Sequence, residues 1–252
     1  MTELRWLATA SGICFIRYTE NRQLNFIYSK TIPMKHFLFL ISSLWWSIAS
    51  VCAQVNICNH PQSSNDFPLV TQGKLAEIYI DNSDYEVVRI AANLFAEDIH
   101  LVSGYKYKVQ NVAHPKAKIA VVAGTLGYNK FIDRLVEEGK IDVSDIRNGW
   151  EQFKIQTLKY PAKGIEQLLV IVGCDRRGTA YGLFTISEAI GVSPLYWWSD
   201  VPVRKQKELY LSALCYTSKT PSVKYRGIFI NDEGWGLQPW AAKNFEKEIG
   251  DI

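Results

Sequence analysis

Tyr225-Arg226-Gly227-Ile228-Phe229-Ile230-Asn231-Asp232-Glu233-Gly234-Trp235-Gly236 decides the fold reading, because its composition changes abruptly half-way. Residues 225–230 have the length and the β-branched and aromatic bias of a strand covered on both faces. Asn231, Asp232 and Glu233 then stand at the C-terminal end of that strand, where a (β/α) barrel builds its active-site face. Gly234 and Gly236 loosen the backbone, and Pro239 suits the first turn of a helix. Ala241, Phe245 and Ile249 follow at helical spacing. Strand, polar loop and helix make the opening unit of an α/β barrel or a doubly wound sheet.

The polar loop carries the chemistry. The Asn231 amide both donates and accepts, and the Asp232 carboxylate can accept from two hydroxyls. The same residues also suit an Asx turn that caps the next helix, and both readings stay open. Asp232 and Glu233 do not form an acid–base pair across one reacting bond. Adjacent side chains on an extended segment point to opposite faces and so cannot flank one bond.

Pro221-Ser222-Val223-Lys224-Tyr225-Arg226-Gly227-Ile228-Phe229-Ile230-Asn231-Asp232-Glu233, followed by Trp235-Gly236-Leu237-Gln238-Pro239-Trp240, resembles the start of the catalytic barrel of glycoside hydrolase family 115. Members of that family are α-glucuronidases that remove glucuronic acid, often 4-O-methylated, from xylan. A weaker likeness reaches back to about residue 65, over an N-terminal α/β domain of the hexosaminidase domain-2 kind. The resemblance implies an inverting hydrolase whose substrate is glucuronoxylan or its oligosaccharides. It implies that Asn231 and Asp232 hold the uronic acid ring, with Glu233 and Trp235 beside them. The general acid and base then belong to later barrel strands, so none is expected in this chain.

Upstream, Cys174-Asp175-Arg176-Arg177-Gly178-Thr179-Ala180-Tyr181-Gly182 starts a helix that runs through Ile190 to a stop at Gly191. Its Arg-Gly-x-x-Tyr-Gly pattern resembles the last helix of the α/β domain that precedes the barrel in hexosaminidases and α-glucuronidases. Arg176 and Arg177 sit where a guanidinium fork and backbone N–H groups meet an anionic sugar. A solvated turn and a domain-packing contact are the competing readings. Arg177 is the substrate-binding residue of choice. Pro194 to Pro202 is an aromatic connector, read first as interdomain packing and second as sugar stacking.

The remainder alternates strand and helix. Leu75–Ile80 reads as a strand, with Ser83 or Asp84 as the N-cap of the helix that follows. That helix carries an apolar stripe of Val87, Ala91, Leu94, Phe95, Ile99 and Val102 and stops at Gly104. Tyr105–Val109 and Lys118–Ala123 are strands, Lys130–Glu138 is a helix, and Gln152–Leu158 pairs antiparallel with Gln167–Val172. Glu208–Leu214 is a last strand. Gly124-Thr125-Leu126-Gly127 lacks the Lys-Ser/Thr of a P-loop and reads as a strand-to-helix turn.

Composition excludes several classes. A formal charge of +3, spread along the sequence, leaves no basic stripe for nucleic acid. His36, His60, His100 and His114 are isolated and no H-E-x-x-H is present, so neither a metal nor another cofactor is expected. Only Met1 and Met34 are methionines; from Met34 the chain runs Lys35-His36, an apolar stretch over 37–50, then Val51-Cys52-Ala53, the pattern of a secretory signal peptide. Translation is therefore expected to begin at Met34, residues 1–33 being an over-extended start with no organised pattern. The only expected membrane contact is that signal. Cys58, Cys174 and Cys215 remain in the mature part, without C-x-x-C spacing.

The expected architecture is α/β: a signal peptide at 34–53, a mature tail at 54–64, an α/β sandwich domain at 65–215 with helices over one sheet, and a linker at 216–221. The first strand and helix of a (β/α)8 barrel occupy 222–252. A whole barrel takes about 250 residues, so the chain reads as the leading, inactive part of a longer secreted enzyme. A non-catalytic extracytoplasmic carbohydrate-binding module is the alternative.

Overall fold

The computed structural model describes residues 55–72, 74–112, 114–196, 201–227 and Phe229, together with the strands Leu4–Thr9 (β1) and Gly12–Arg17 (β2). Two compact units divide after Cys52. In the first, β1 and β2 pair antiparallel from Leu4↔Arg17 to Thr9↔Gly12. This hairpin falls within residues 1–33, which were read from sequence as unpatterned. The signal segment at 34–53 lies outside the described residues.

In the second unit the chain forms β3 (Ile57–Cys58), β4 (Phe67–Thr71), β5 (Lys74–Leu75) and β6 (Glu77–Ile80) before its first helix. That helix is α1 (Glu86–Ser103), followed by β7 (Val109–Asn111), β8 (Ile119–Thr125) and α2 (Lys130–Glu137). Then come β9 (Phe153–Lys159), β10 (Gln167–Gly173), α3 (Arg176–Ala189), β11 (Leu209–Leu211) and β12 (Cys215–Thr217). Six strands make the main sheet in the order β12-β9-β10-β8-β6-β7. Its centre, β10-β8-β6-β7, is parallel, and β9 and β12 join antiparallel at one side. The expected antiparallel pair of β9 and β10 is present, from Gln167↔Lys159 to Gly173↔Phe153.

The strand period of two sorts the core into two clusters. Ile78 and Ile80 of β6, Val121 and Ala123 of β8, and Leu169 and Ile171 of β10 face one way, against α1 and α3. Tyr79, Ala120, Val122, Leu168, Val170 and Val172 face the other way, against Phe131, Ile132 and Leu135 of α2 and Ile141, Val143 and Ile146 of the loop after it. Because both faces are covered, β8 and β10 read as continuous apolar runs. The described helices therefore lie on both sides of the main sheet.

Helix α1 buries Val88, Ala91, Phe95, Ile99 and Val102, and Gly104 ends it at φ 82° while donating to the His100 carbonyl at 2.8 Å. Its N-cap is Tyr85, with no side-chain bond to the helix. Of the two expected caps, Asp84 accepts instead from Thr125 N at 2.7 Å, a partner forty-one positions away, and Ser83 Oγ donates to Asp81 Oδ1 at 2.7 Å. Leu94 of the expected stripe is exposed.

The sequence reading missed a second sheet, β3-β11-β4-β5. Pro68 and the polar residues around β4 mask it, yet Phe67, Leu69 and Val70 are fully buried beside Leu209 and Leu211. The mature tail at 54–64 thus already contains β3. The linker begins later than expected: Cys215–Thr217 is an edge strand of the main sheet, and Ser218 is buried. Ile228 and Ile230 of the expected first barrel strand lie outside the described residues. Tyr225, Arg226, Gly227 and Phe229 belong to no strand, and Tyr225 and Phe229 are 84% and 91% exposed. A strand apolar on both faces needs neighbours to cover it, and among the described residues none covers Tyr225 or Phe229. Among the described residues no helix is long and apolar enough to cross a membrane, and Cys58, Cys174 and Cys215 are free thiols.

Candidate functional site

In open parallel sheets, ligand sites form beyond the C-terminal ends of strands, where successive crossovers diverge to opposite faces. Here α1 follows β6 on one face and α2 follows β8 on the other. The gap between them is filled by the chain's own polar groups. Asp81 accepts from Ser83 N at 2.9 Å, Ser83 Oγ at 2.7 Å and Lys130 N at 3.3 Å. Asp84 accepts from Thr125 N and Tyr85 N, both at 2.7 Å. Burial pushes the Asp84 carboxyl above its ordinary range despite those donors. For Asp81, burial raises the value too, but the Ser83 donors and Lys130 outweigh it and hold the carboxyl low.

The Gly124–Gly127 turn has no amide left for a phosphate. Leu126 N donates to Gly173 O at 3.0 Å, Gly127 N to Asp133 Oδ1 at 2.9 Å, and Tyr128 N to Thr125 O at 3.0 Å. Asn129 caps α2 by accepting from Phe131 N and Ile132 N. The turn reading holds.

The third strand-to-helix junction, from β10 into α3, carries the charged cluster. Asp175 caps α3 by accepting from Arg177 N at 3.0 Å and Gly178 N at 2.8 Å, so these helix-start amides are not open to an anion. Arg177 Nη1 donates to Glu151 Oε1 at 2.6 Å, while the Arg177 side chain is 59% exposed. Glu151 is buried, and its second oxygen accepts from Arg226 Nη2. The Arg226 guanidinium carbon lies 5.8 Å from the Trp150 ring centroid and 5.9 Å from that of Tyr181. Arg176 turns away, over Tyr85 at 5.5 Å.

Of the five site residues expected from sequence, Arg177 is the one placed among the described residues, paired with Glu151 of the same unit. Asn231, Asp232, Glu233 and Trp235 lie outside the described residues. Glu151, Trp150, Tyr181 and Arg226 were not foreseen. Tyr181 and Arg226 stood inside the quoted motifs, but nothing local marks Glu151, a single acid between an aromatic and an amide. Among the described residues no group of three His, Cys, Asp or Glu side chains is placed to hold a metal ion. A separate cavity of about 660 Å³ opens between the C-terminal halves of α1 and α3, lined by Leu94, Leu101, Phe184, Val192, Pro194 and Tyr196. The β10–α3 junction lies at the opposite end of α3.

Residues 218–251 match the model of glycosyl hydrolase family 115. A solved structure described as a novel family GH115 4-O-methyl-α-glucuronidase with specificity for decorated arabinogalactans is similar at 34% identity and a TM-score of 0.57. The chain is related to glycosyl hydrolase family 115. The similarity to that structure covers 72% of this chain and 22% of the other, so this chain spans under a quarter of its family 115 relative. A comparison with curated proteins gave no match.

The family 115 segment begins at Ser218, which is tied to the strand beside the cluster. Ser218 N donates to Phe153 O at 2.9 Å, Phe153 N to Ser218 Oγ at 2.8 Å, and Gln152 Nε2 to Ser218 O at 3.0 Å. Arg226 belongs to that segment, whereas Glu151, Trp150, Arg177 and Tyr181 precede it. The charged cluster thus spans the boundary between the α/β body and the family 115 segment. The glycines of Arg-Gly-x-x-Tyr-Gly make the close approach feasible: a Cβ on Gly178 would lie 2.2 Å from Gln152 O, and one on Gly182 2.6 Å from Ile171 Cγ2.

Proposed function

We propose that this chain forms the leading part of a secreted, inverting glycoside hydrolase that removes glucuronic acid or its 4-O-methyl ether from glucuronoxylan or a similarly decorated polysaccharide. The match of residues 218–251 to family 115 carries this reading, because it contains the whole polar loop Asn231-Asp232-Glu233. Likeness to a 4-O-methyl-α-glucuronidase over 72% of the chain supports it. Secretion rests on the signal pattern that starts at Met34.

In this reading the Asn231 amide and the Asp232 carboxylate hydrogen-bond the hydroxyls of the uronic acid ring, with Glu233 and Trp235 bordering them. Arg177 supplies charge for the uronate carboxylate. Asp175 already uses the backbone amides at the start of α3, so recognition of an anion there falls to the guanidinium, whose exposure leaves donors free beyond the one given to Glu151. A hydrogen bond to a charged group of this kind contributes about 1.5–3 kcal/mol. Inversion needs an acid and a base about 6.5–9.5 Å apart with a water between. Asp232 and Glu233 are neighbours and do not meet that need, so both roles belong to other residues.

The protein that carries this chain is incubated with glucuronoxylan and with glucuronylated arabinogalactan, and released uronic acid is quantified by chromatography. Release is expected, with the anomer of the first product inverted by NMR. D232A lowers kcat/KM at least tenfold, and R177A raises KM. Binding to either polysaccharide without any release would replace the hydrolase reading with that of a carbohydrate-binding module.

A further inference from the structure

Glu151 is an acid that is expensive to place. It is 5% exposed and its φ of 53° is in the left-handed region, which side-chain-bearing residues rarely adopt. Two features hold it there. Its backbone N–H donates to Asp175 Oδ2 at 2.7 Å, the same carboxylate that caps α3. Its own carboxylate is shared, one oxygen for Arg177 of α3 and the other for Arg226 of the family 115 segment. A strained, buried acid maintained by such supports signals a role beyond stability.

Residues 222–227 are exposed. Among the described residues, the hydrogen bonds and ring contacts from 222–227 to the α/β body run through one side chain, Arg226, by way of Glu151, Tyr181 Oη at 3.4 Å and the Trp150 ring. Arg226 Nη1 also donates to Val223 O at 2.5 Å, which ties the segment's own backbone to the same guanidinium. Hydrogen bonding to Glu151 keeps Arg226 protonated beyond its ordinary range.

We infer that Glu151 is a latch, a positioning residue that docks the leading end of the family 115 segment onto α3 and fixes Arg177 and Arg226 side by side. It acts through the two arginines and touches no substrate itself. The inference stands apart from the proposed hydrolysis: it concerns how the two parts of the chain are joined.

Limited trypsin digestion of the full chain, followed by mass spectrometry, tests it. Lys224 lies beside the latch, and Lys163, in an exposed turn far along the sequence, reports the integrity of the body. When opening is fast relative to cleavage, the cutting rate follows the open population. Loss of a charge-assisted pair is expected to raise that population about tenfold. E151Q therefore speeds cleavage after Lys224 about tenfold and leaves Lys163 unchanged. R226Q does the same, R226K falls between, and the E151Q/R226Q double variant cuts no faster than either single one. An E151Q rate within twofold of wild type overturns the latch, as do single effects that multiply in the double variant. Should E151Q also speed cleavage after Lys163, R226Q decides: Arg226 is at the surface, and an unchanged Lys224 rate in that variant overturns the inference equally.

Discussion

The carbonyl oxygen of Gln152 stands 2.2 Å from the point where a Cβ on Gly178 would lie. That oxygen cannot move aside freely, since it accepts from Cys174 N at 2.9 Å. The first turn of α3 can approach the start of β9 only because residue 178 has no side chain. G178A is expected to lose about 1–3 kcal/mol, the range for overpacking a fixed site. Urea denaturation of the two proteins measures it, and a variant as stable as wild type would show that the junction relaxes without cost.

Asn129 does two things at once. Its Oδ1 accepts from Phe131 N at 3.2 Å and Ile132 N at 3.1 Å, and its Nδ2 donates to Ala123 O at 3.3 Å. N129A should lose about 1–2 kcal/mol, as removal of a helix cap does. N129D keeps the accepting oxygen and loses only the donor, so its midpoint in the same denaturation series falls between those of wild type and N129A.

Asp81 and Asp84, three positions apart, should give opposite pH dependence. Asp84 keeps its proton to a higher pH when folded, so the folded state binds more protons upward from the unfolded value of about 3.9, and stability falls as pH rises through that window. Asp81 is held low, so its contribution is complete above the unfolded value and is lost as pH falls through the folded one. Relative to D84N, wild type gains stability as pH is lowered from 7 to 4. Relative to D81N, wild type is more stable at pH 7 and the advantage shrinks toward pH 3. Urea midpoints at each pH, with the two differences plotted together, check both signs.

If the segment from Met34 acts as a signal, expression with export in a Gram-negative host should yield a mature chain that begins at Gln54. Intact-mass spectrometry of the exported protein reads this directly. A retained apolar segment would instead assign residues 37–50 to an anchor.

What was legible in the sequence followed short-range rules. The apolar runs of β8 and β10 and the paired strands around Pro161 and Gly164 announced the centre of the main sheet. Gly104 and Gly191 marked the ends of α1 and α3. Arg176 and Arg177 were read as a helix entry, and the helix does begin there. What was not legible depends on distant partners. Asp84 looks like a cap until the chain brings Thr125 to it. Phe67–Thr71 looks like loop until Leu209 and Leu211 arrive to cover it. Glu151 has no signature at all, because its meaning lies in Arg226, seventy-five positions onward. Tyr225 and Phe229 have the composition of a strand, but among the described residues no strand or helix covers them.

The strand β11 is inserted between β3 and β4, so residues near 210 are flanked by residues near 57 and 68. During synthesis this sheet stays unfinished until Leu211 has left the ribosome, and closing so long a loop makes it a late step. Residues after Ser218 therefore leave the ribosome only once the strand that closes this sheet is already out.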